Sequence, residues 1–379
     1  MVNTPKNYNK ETTKVYTKMS IPESKRIAFT KSKLPPCALR YHPLDSSLLF
    51  LGTYNLIKET GKRTGSIEIY KHNEQDQDSL ELIHSEPTES AILDMKFSPH
   101  DDSLFITCHS TGDLTIWRYE LDENKLINLH HQQIFEQDVL ITSLIFSQTL
   151  QNKILLTCTD GYLALVELQG NSLTEPIFFG TQHELECWTG AFGNMAELSN
   201  VLFTGGDDGA LIAHDLREPE SMSIFHARRT HEAGVVAIQT STFGNHNGVG
   251  DWFVDKPYTL WTGSYDDQLR SLDLRVVPDL GIVNGIIPRV QNKLNLGGGV
   301  WRFQPSTIQN DNRLLTCCMY NGARIIGAKS DTEPIVDRFF KKDHESMVYG
   351  CDWSPDGQKV ATCSFYDNVL QIWSPNDIE

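Results

Sequence analysis

The chain has 379 residues with 33 lysines and arginines against 49 aspartates and glutamates, a formal net charge of −16. Hydrophobic residues make up 39% and charged residues 22%, which is ordinary for a folded protein and excludes wholesale disorder. No apolar run approaches the ~20 residues of a membrane-spanning helix. The chain start lacks an apolar secretory segment, so we expect a cytoplasmic protein whose eight cysteines are reduced.

The charge is distributed unevenly along the chain. Residues 1–35 hold eight Lys and Arg against Glu11 and Glu23, a net +6, so the remainder carries −22. Such an acidic body disfavours nucleic acid, which needs Lys and Arg to neutralise phosphates. It suits a basic protein surface or a cationic substrate, with solubility as the simpler explanation. We predict that residues 1–22 form a flexible basic tail.

Seven segments repeat one pattern of short apolar strands separated by tight turns. The third strand of each ends at steps of 46 to 58 residues. These third strands are SIEIY (66–70), LTIW (114–117), LALV (163–166), LIAH (211–214), LRSL (269–272), ARIIG (323–327) and LQIW (370–373). Such units bury both faces only when stacked, which predicts an all-β, seven-bladed propeller over residues 23–376. Its blades end near residues 70, 117, 166, 214, 272, 327 and 373.

The last repeat stops after its third strand, so the ring needs one more strand. We predict that Lys25–Lys33 supplies it, giving a WD-repeat propeller closed by an N-terminal strand. Closure leaves no open sheet edge. Three insertions, Leu56–Gly65, Ser241–Tyr258 and Val276–Gly299, interrupt the pattern, and we interpret the last two as long loops of the kind that often carry function.

Alignment of the repeats places cysteines and histidines in shared columns. Four cysteines each follow a threonine where other repeats have glycine, namely Cys108, Cys158, Cys317 and Cys363. This column predicts small packed residues rather than a catalytic thiol. His344 has the Ser/Thr, Asp and Trp partners that WD repeats use structurally. His231 faces Leu272 where the Trp belongs, so it is either structural or a candidate general base.

A third column is rich in tyrosine and lies just before the turn acid of each repeat. It contains Tyr54, Tyr265, Tyr320 and Tyr366, at a position that typically projects from one rim near the central opening. Trp188, Trp301 and Tyr349 open first strands and are expected on the same rim. The column is either an aromatic binding surface, since Tyr is enriched at interface hot spots, or packing between loops.

Common catalytic signatures are absent. The sequence has no GxSxG elbow, no HExxH, no phosphate-binding GxxxxGK[ST] loop and no GxGxxG opening a helix. An enzyme of this sequence must therefore assemble its site on the rim from separate blades.

Five motifs together resemble one family across roughly residues 36–374. They are GGGVWR (297–302), TGSYDDQLRSLDLR (262–275), HEAGVVAI (231–238), TGGDDGALIAHDLR (204–217) and SFYDNVLQIW (364–373). The chain resembles the WD-repeat proteins of diphthamide biosynthesis, described as diphthine methyl ester esterases and often labelled diphthine methyltransferases. The resemblance implies hydrolysis of a methyl ester on the modified histidine of elongation factor 2, to give diphthine, with no cofactor and no metal.

A trimethylammonium group on that side chain is what an aromatic cage binds, at roughly 0.5–2 kcal/mol per contact. We hypothesise that two or three of a set of five aromatic residues form the cage, namely Tyr54, Tyr265, Tyr320, Tyr366 and Trp301. His231 is the candidate general base and Arg302 the candidate carboxyl or oxyanion contact.

The competing hypothesis is a non-catalytic WD-repeat scaffold, for example in vesicle trafficking, because fold does not fix function. Other protein partners on the rim fit either hypothesis.

Overall fold

The computed structural model describes residues 21–75, 79–244, 250–277, 281–328 and 333–379. The described residues form seven antiparallel sheets, one per blade, which confirms the seven-bladed propeller. Of the predicted tail, residues 1–20 lie outside the described residues. The helices described are two short 3₁₀ turns, Leu121–Glu123 and Ala196–Asn200, and no described helix is long and apolar enough to cross a membrane.

Each blade is numbered from its innermost strand outward, and the strand that precedes the first blade is β1 (Ser24–Lys31). Blade 1 contains β2 (Pro36–His42), β3 (Asp45–Thr53), β4 (Asn55–Ile57), β5 (Lys62–His72) and β6 (Leu80–Thr88). Blade 2 contains β7 (Ile92–Ser98), β8 (Asp101–His109), β9 (Asp113–Glu120) and β10 (Lys125–Gln133). Blade 3 contains β11 (Ile141–Phe146), β12 (Lys153–Cys158), β13 (Leu163–Gln169), β14 (Ser172–Leu173) and β15 (Ile177–Phe178).

The remaining blades follow the same order, and the last one ends the chain. Blade 4 contains β16 (Cys187–Phe192), β17 (Val201–Gly206), β18 (Leu211–Asp215) and β19 (Phe225–Ala227), and blade 5 contains β20 (Val235–Gln239), β21 (Thr259–Ser264), β22 (Gln268–Asp273) and β23 (Arg289–Asn295). Blade 6 contains β24 (Arg302–Pro305), β25 (Leu314–Cys317), β26 (Ala323–Ala328) and β27 (Pro334–Phe340). Blade 7 contains β28 (Val348–Trp353), β29 (Val360–Ser364) and β30 (Val369–Ile378).

The N-terminal strand closes the ring as predicted. β1 pairs antiparallel with β30, with Ala28 opposite Ile372 and Thr30 opposite Leu370. The strand is slightly shorter than the predicted Lys25–Lys33. Directly after it, the Ser32 amide still donates to the Asn368 carbonyl at 2.9 Å, and the Ser32 hydroxyl donates to the Leu34 carbonyl at 2.7 Å.

The core lies between adjacent blades. Leu and Ile alternate along the third strands, so one side of each blade packs on the next. Leu114 and Ile116 of blade 2, for example, share one buried cluster with Leu144 and Leu156 of blade 3. The apolar contacts therefore hold the ring together and leave the inner strands to line a central channel.

The interpretation of Val276–Gly299 as a loop is wrong in part, because it contains β23, the outer strand of blade 5. In its sequence RVQNKLN only Val290 and Leu294 are apolar, both on the half-buried side, which is too few to indicate a strand. Within Ser241–Tyr258, of which 245–249 are not described, Trp252 and Phe253 pack on Trp261. Leu56–Gly65 carries a small hairpin, β4 paired with β5.

The cysteine column is structural. Cys108, Cys158, Cys317 and Cys363 are fully buried, and burial raises the pKa of each thiol. A thiol that stays protonated is a poor nucleophile. These four cysteines therefore fill small spaces in the packed second strands, as predicted.

His344 is also structural. Its ring nitrogens lie 2.7 Å from the Ser364 hydroxyl and 2.8 Å from the Thr362 hydroxyl. Ser364 donates to Asp367, and the Trp373 indole donates to Thr362 at 3.1 Å. Burial lowers the pKa of His344 to about 4, so the ring is neutral at pH 7. The network links the turn to the second and third strands of blade 7.

Candidate functional site

One face of the propeller carries a connected group of seven aromatic rings, which we call the aromatic cluster. Trp301 is its centre, stacked on Tyr265 with ring centroids 5.8 Å apart and lying 5.5 Å from Trp188 and 5.0 Å from Tyr349. Beyond Tyr349, the ring contacts continue through Phe365 to Tyr54 and Tyr366. Blades 1, 4, 5, 6 and 7 all contribute to it.

The local backbone explains why these rings meet. Tyr265 follows β21 and Tyr366 follows β29, both in the tight turn that leads to the third strand. The Tyr265 amide donates to the Gly234 carbonyl at 3.0 Å, and the Tyr366 amide donates to the Ser346 hydroxyl at 2.8 Å. Each turn is thus tied to the loop that precedes the first strand of its own blade.

The glycines before Trp301 have a packing role. A Cβ on Gly299 would lie 2.8 Å from Met319 Sδ and 3.2 Å from the Tyr265 ring. Gly297 has φ +75°, a conformation that favours glycine. The absence of a side chain at Gly299 therefore lets the backbone before Trp301 lie close to Met319 and Tyr265.

Four of the five predicted cage residues belong to the aromatic cluster: Tyr54, Tyr265, Tyr366 and Trp301. Tyr320 is 58% exposed and is close enough to Tyr349 to influence its pKa. Tyr366 is 69% exposed, whereas Tyr265 is partly buried. The structure thus places the predicted residues together, and their role as a cage stays a prediction.

Two carboxylates lie beside the aromatic cluster. Burial raises the pKa of Tyr265, and the charges of Asp207 and Glu186 raise it further. Burial also raises the pKa of Asp207. The Trp188 side chain beside it acts to lower this pKa, and the charge of nearby Glu186 acts to raise it. Negative charge next to aromatic faces favours a bound cation.

Arg302 lies below the aromatic cluster, in the central channel. Its guanidinium donates to Asp94 at 2.8 Å, and Arg40 and Lys96 each lie 3.7 Å from the same carboxylate. Burial raises the pKa of Asp94, but Lys96, Arg302 and Arg40 outweigh it and hold the pKa at about 2. With buried Asp352 these residues form what we call the channel cluster, with three cations and two carboxylates.

The channel cluster opens onto a cavity of about 280 Å³. Arg40, Asp94, Lys96, Arg302 and Asp352 all line it, as do Trp188 and Trp301. These two indoles therefore belong to both the cavity wall and the aromatic cluster. The arrangement places the other aromatic rings and the group of cations on different sides of Trp301.

His231 lies apart from both clusters in its hydrogen bonding. It is 6% exposed, and its Nε2 lies 2.8 Å from the Thr262 hydroxyl. Burial and the nearby Arg270 lower its pKa to about 3, which makes it a weak base. Arg270 pairs with Asp266, whereas in blade 4 the His183 ring bonds Asp208 directly. This geometry favours the structural role, and the general-base role stays a prediction.

Four members of the channel cluster, Arg40, Asp94, Lys96 and Asp352, were not predicted from the sequence. A signal was present in the first strands ALRYH and ILDMKF, where charged residues alternate with apolar ones. What the sequence did not show is that these positions converge on one axis. Among the described residues, no group of three or more His, Cys, Asp or Glu is arranged to hold a metal ion.

Comparison with known proteins adds the family. Residues 337–374 match the WD domain, G-beta repeat family. The diphthine methyltransferase of Saccharomyces cerevisiae is 39% identical, with 93% of this chain and 99% of that protein covered. That of Schizosaccharomyces pombe is 30% identical, covering 89% and 94%. The human protein of the same name is 25% identical and covers 79% of this chain.

A solved structure shows the same fold. A chain of the mitotic checkpoint complex superposes with a TM-score of 0.66 over 100% of this chain and 99% of its own, at 15% identity. At that identity the likeness speaks for the propeller alone. The two yeast sequences are matched over nearly their whole length. On that basis, this chain belongs to the diphthine methyltransferase family.

Proposed function

We propose that this protein acts in diphthamide biosynthesis and hydrolyses the methyl ester of methylated diphthine on elongation factor 2. Water and the ester give a carboxylate, methanol and a proton. The reaction is hydrolytic and needs no cofactor. Membership of the diphthine methyltransferase family supports the pathway, and the geometry of the rim supports the substrate.

The aromatic cluster is the observation that carries the proposal. Methylated diphthine bears a trimethylammonium group, which has no hydrogen to donate and is recognised through aromatic faces. Trp301 lies within ring-contact distance of both Tyr265 and Tyr349, so three aromatic side chains stand close together. Asp207 and Glu186 beside Tyr265 add attraction for the positive charge.

Ester hydrolysis also needs a donor for the oxyanion that develops on the ester carbonyl. Arg302 follows Trp301 directly in the chain and lines the cavity that Trp301 also lines. The ester and the trimethylammonium of the substrate are attached to the same carbon, so both groups must bind within a few ångströms of each other. Adjacent recognition elements at residues 301 and 302 match this requirement.

The proposal is tested by incubating the purified protein with elongation factor 2 that carries methylated diphthine. Mass spectrometry of the modified peptide is expected to show the ester methyl replaced by hydrogen, with methanol released. Tyr265→Ala is expected to slow this conversion, and Tyr258→Ala, a tyrosine outside the aromatic cluster, is the matched control. A folded protein that binds the factor and leaves the ester intact would instead act as a scaffold.

A further inference from the structure

The channel cluster has an excess of positive charge that its own carboxylates do not satisfy. Arg40, Lys96 and Arg302 face Asp94 and Asp352, and Asp94 accepts its one short arginine bond from Arg302. Arg40 and Lys96 stand farther away, at 3.7 Å. Cations of this kind are costly to bury unless they are paired, so a surplus points to a missing anion.

In the part of the chain that the structure describes, one atom of Arg40 lacks a hydrogen-bond acceptor. The residue is 5% exposed and donates through Nη1 to the carbonyls of Leu39 and Cys351. Its Nη2 is buried and has no hydrogen-bond partner among the described residues. A buried guanidinium nitrogen without an acceptor costs free energy, and this one belongs to a residue that lines the cavity.

The second carboxylate does not supply the missing acceptor. Asp352 accepts from the Tyr41 amide at 2.8 Å, which directs it toward the backbone of blade 1. Burial raises the pKa of Asp352, so its negative charge is disfavoured there. The cavity therefore presents donors in excess, in a volume that holds a small acid.

We propose that the channel cluster binds a carboxylate group, namely the one that remains on the modified side chain after its methyl ester is cleaved. This assignment rests on the proposed function for the identity of the acid, whereas the donor arrangement stands without it. Arg302 and Arg40 donate to the carboxylate, and Lys96 adds a third positive charge. The ligand class is an α-trimethylammonio carboxylate, with its cation on the aromatic cluster and its anion in the channel.

Lys96 gives the site a dependence on pH. Burial and Arg40 lower its pKa to about 7, with Asp94 and Asp352 acting to raise it and Arg302 to lower it. Below pH 7 the ammonium is present and attracts the carboxylate. Above pH 8 the amine is neutral, so the affinity for the acid falls while the affinity for the uncharged ester changes little.

The test uses the full chain and four small probes that separate the two charges. They are 2-(trimethylammonio)butyrate, its methyl ester, plain butyrate and tetramethylammonium. Titration calorimetry at pH 6.5 is expected to show the zwitterionic acid binding about tenfold tighter than its ester, the effect of about one additional charge-assisted hydrogen bond. Butyrate has only the carboxylate and tetramethylammonium has only the quaternary ammonium, so each is expected to bind more weakly than the acid.

Variants then assign each charge to its cluster. Lys96→Met is expected to weaken the acid about fivefold to tenfold and to leave the ester unchanged. Tyr265→Ala is expected to weaken both. Lys359→Met is the matched control, because Lys359 is also largely buried but pairs with Glu74 away from the cavity. Arg40→Lys keeps the positive charge and is used for Arg40 because a larger change there can disturb folding. Thermal unfolding confirms that each variant is folded.

Two results would overturn the assignment. Equal affinity for acid and ester in the wild type, unchanged in Lys96→Met, would remove the carboxylate site. Butyrate that binds as tightly as the zwitterion, regardless of Tyr265, would remove the cleavage product as its ligand. Turnover of the methyl ester is measured separately from binding. No turnover together with tighter binding of the acid than of the ester would reject only the esterase proposal. Turnover together with equal binding of acid and ester would reject only the carboxylate site.

Discussion

The aromatic cluster and the channel cluster differ in how the propeller builds them. The aromatic cluster comes from turns and strand beginnings, where side chains lie on a rim and Tyr366 is largely exposed. The channel cluster comes from the middle of first strands, where Arg40 and Asp94 are buried. The first offers π faces and negative charge, the second offers positive charge, and Trp301 of the aromatic cluster lines the cavity onto which the channel cluster opens. A ligand with adjacent cation and carboxyl groups is the simplest one that uses both.

Trp301 is the residue whose removal tests this comparison most severely. Trp301→Ala deletes contacts with Trp188, Tyr265 and Tyr349 and opens the wall of the cavity. We expect kcat/KM for the methylated factor to fall about 100-fold, the size of a central hot-spot residue. Trp301→Phe keeps a π face and is expected to retain most activity. Equal loss in both variants would show that the indole packs the fold and does not bind substrate.

Substitution of Arg302 tests whether this residue contributes to the chemical step or to substrate binding. Arg302→Met removes a donor to the developing oxyanion, so we expect kcat to fall about 10- to 100-fold with a small change in KM. Steady-state kinetics on the modified factor measure the split. Arg302→Lys keeps the charge and is expected to recover part of kcat. A rise in KM alone would make Arg302 a contact of the ground state.

The rim tyrosines are expected to act on binding. Tyr265→Ala and Tyr366→Ala each remove one aromatic face, which predicts a rise in KM of about fivefold to tenfold with kcat nearly unchanged. The exposed Tyr366 is expected to show the smaller effect of the two. Tyr258→Ala, on a tyrosine that bonds Glu197 instead, is the control. The same small effect at all three positions would eliminate the cage.

Lys96 predicts a pH-dependent stability. Its pKa of about 7 in the folded chain lies below the ordinary lysine value, so the unfolded chain binds more protons between pH 7 and about 10 and stability rises with pH there. Lys96→Met removes this penalty. We expect it to stabilise the protein by about 1–3 kcal/mol at pH 6 and by less at pH 9. Urea unfolding at both pH values measures the difference, and a destabilised variant at pH 6 would contradict the picture of surplus positive charge.

His231 is expected to have the smallest effect on turnover. Its buried bond to Thr262 predicts that His231→Ala lowers the free energy of unfolding by about 1–2 kcal/mol, and a similar loss is expected for His344→Ala in blade 7. Activity per folded molecule is expected to persist. A loss of kcat in a fully folded His231→Ala protein would restore His231 as the general base.

The sequence predicted the fold well because each blade repeats the same short-range pattern. It also predicted His344 and the cysteine column, since seven aligned repeats show which positions are structural. β23 was hidden because an edge strand whose inner face has only two apolar residues, Val290 and Leu294, shows little apolar alternation. The tyrosine column placed Tyr265 and Tyr366 on one rim, but the channel cluster needed coordinates, because Arg40, Asp94 and Arg302 meet only when the ring closes.

The most direct test of the central claim follows the oxygen atoms of the reaction. The protein is incubated with methylated elongation factor 2 in water enriched in heavy oxygen, with and without S-adenosylmethionine. We expect methanol of ordinary mass and one heavy oxygen in the new carboxylate, at the same rate in both mixtures. A methyl group gained only with S-adenosylmethionine would show methyl transfer, as the name of the family suggests, and would contradict ester hydrolysis.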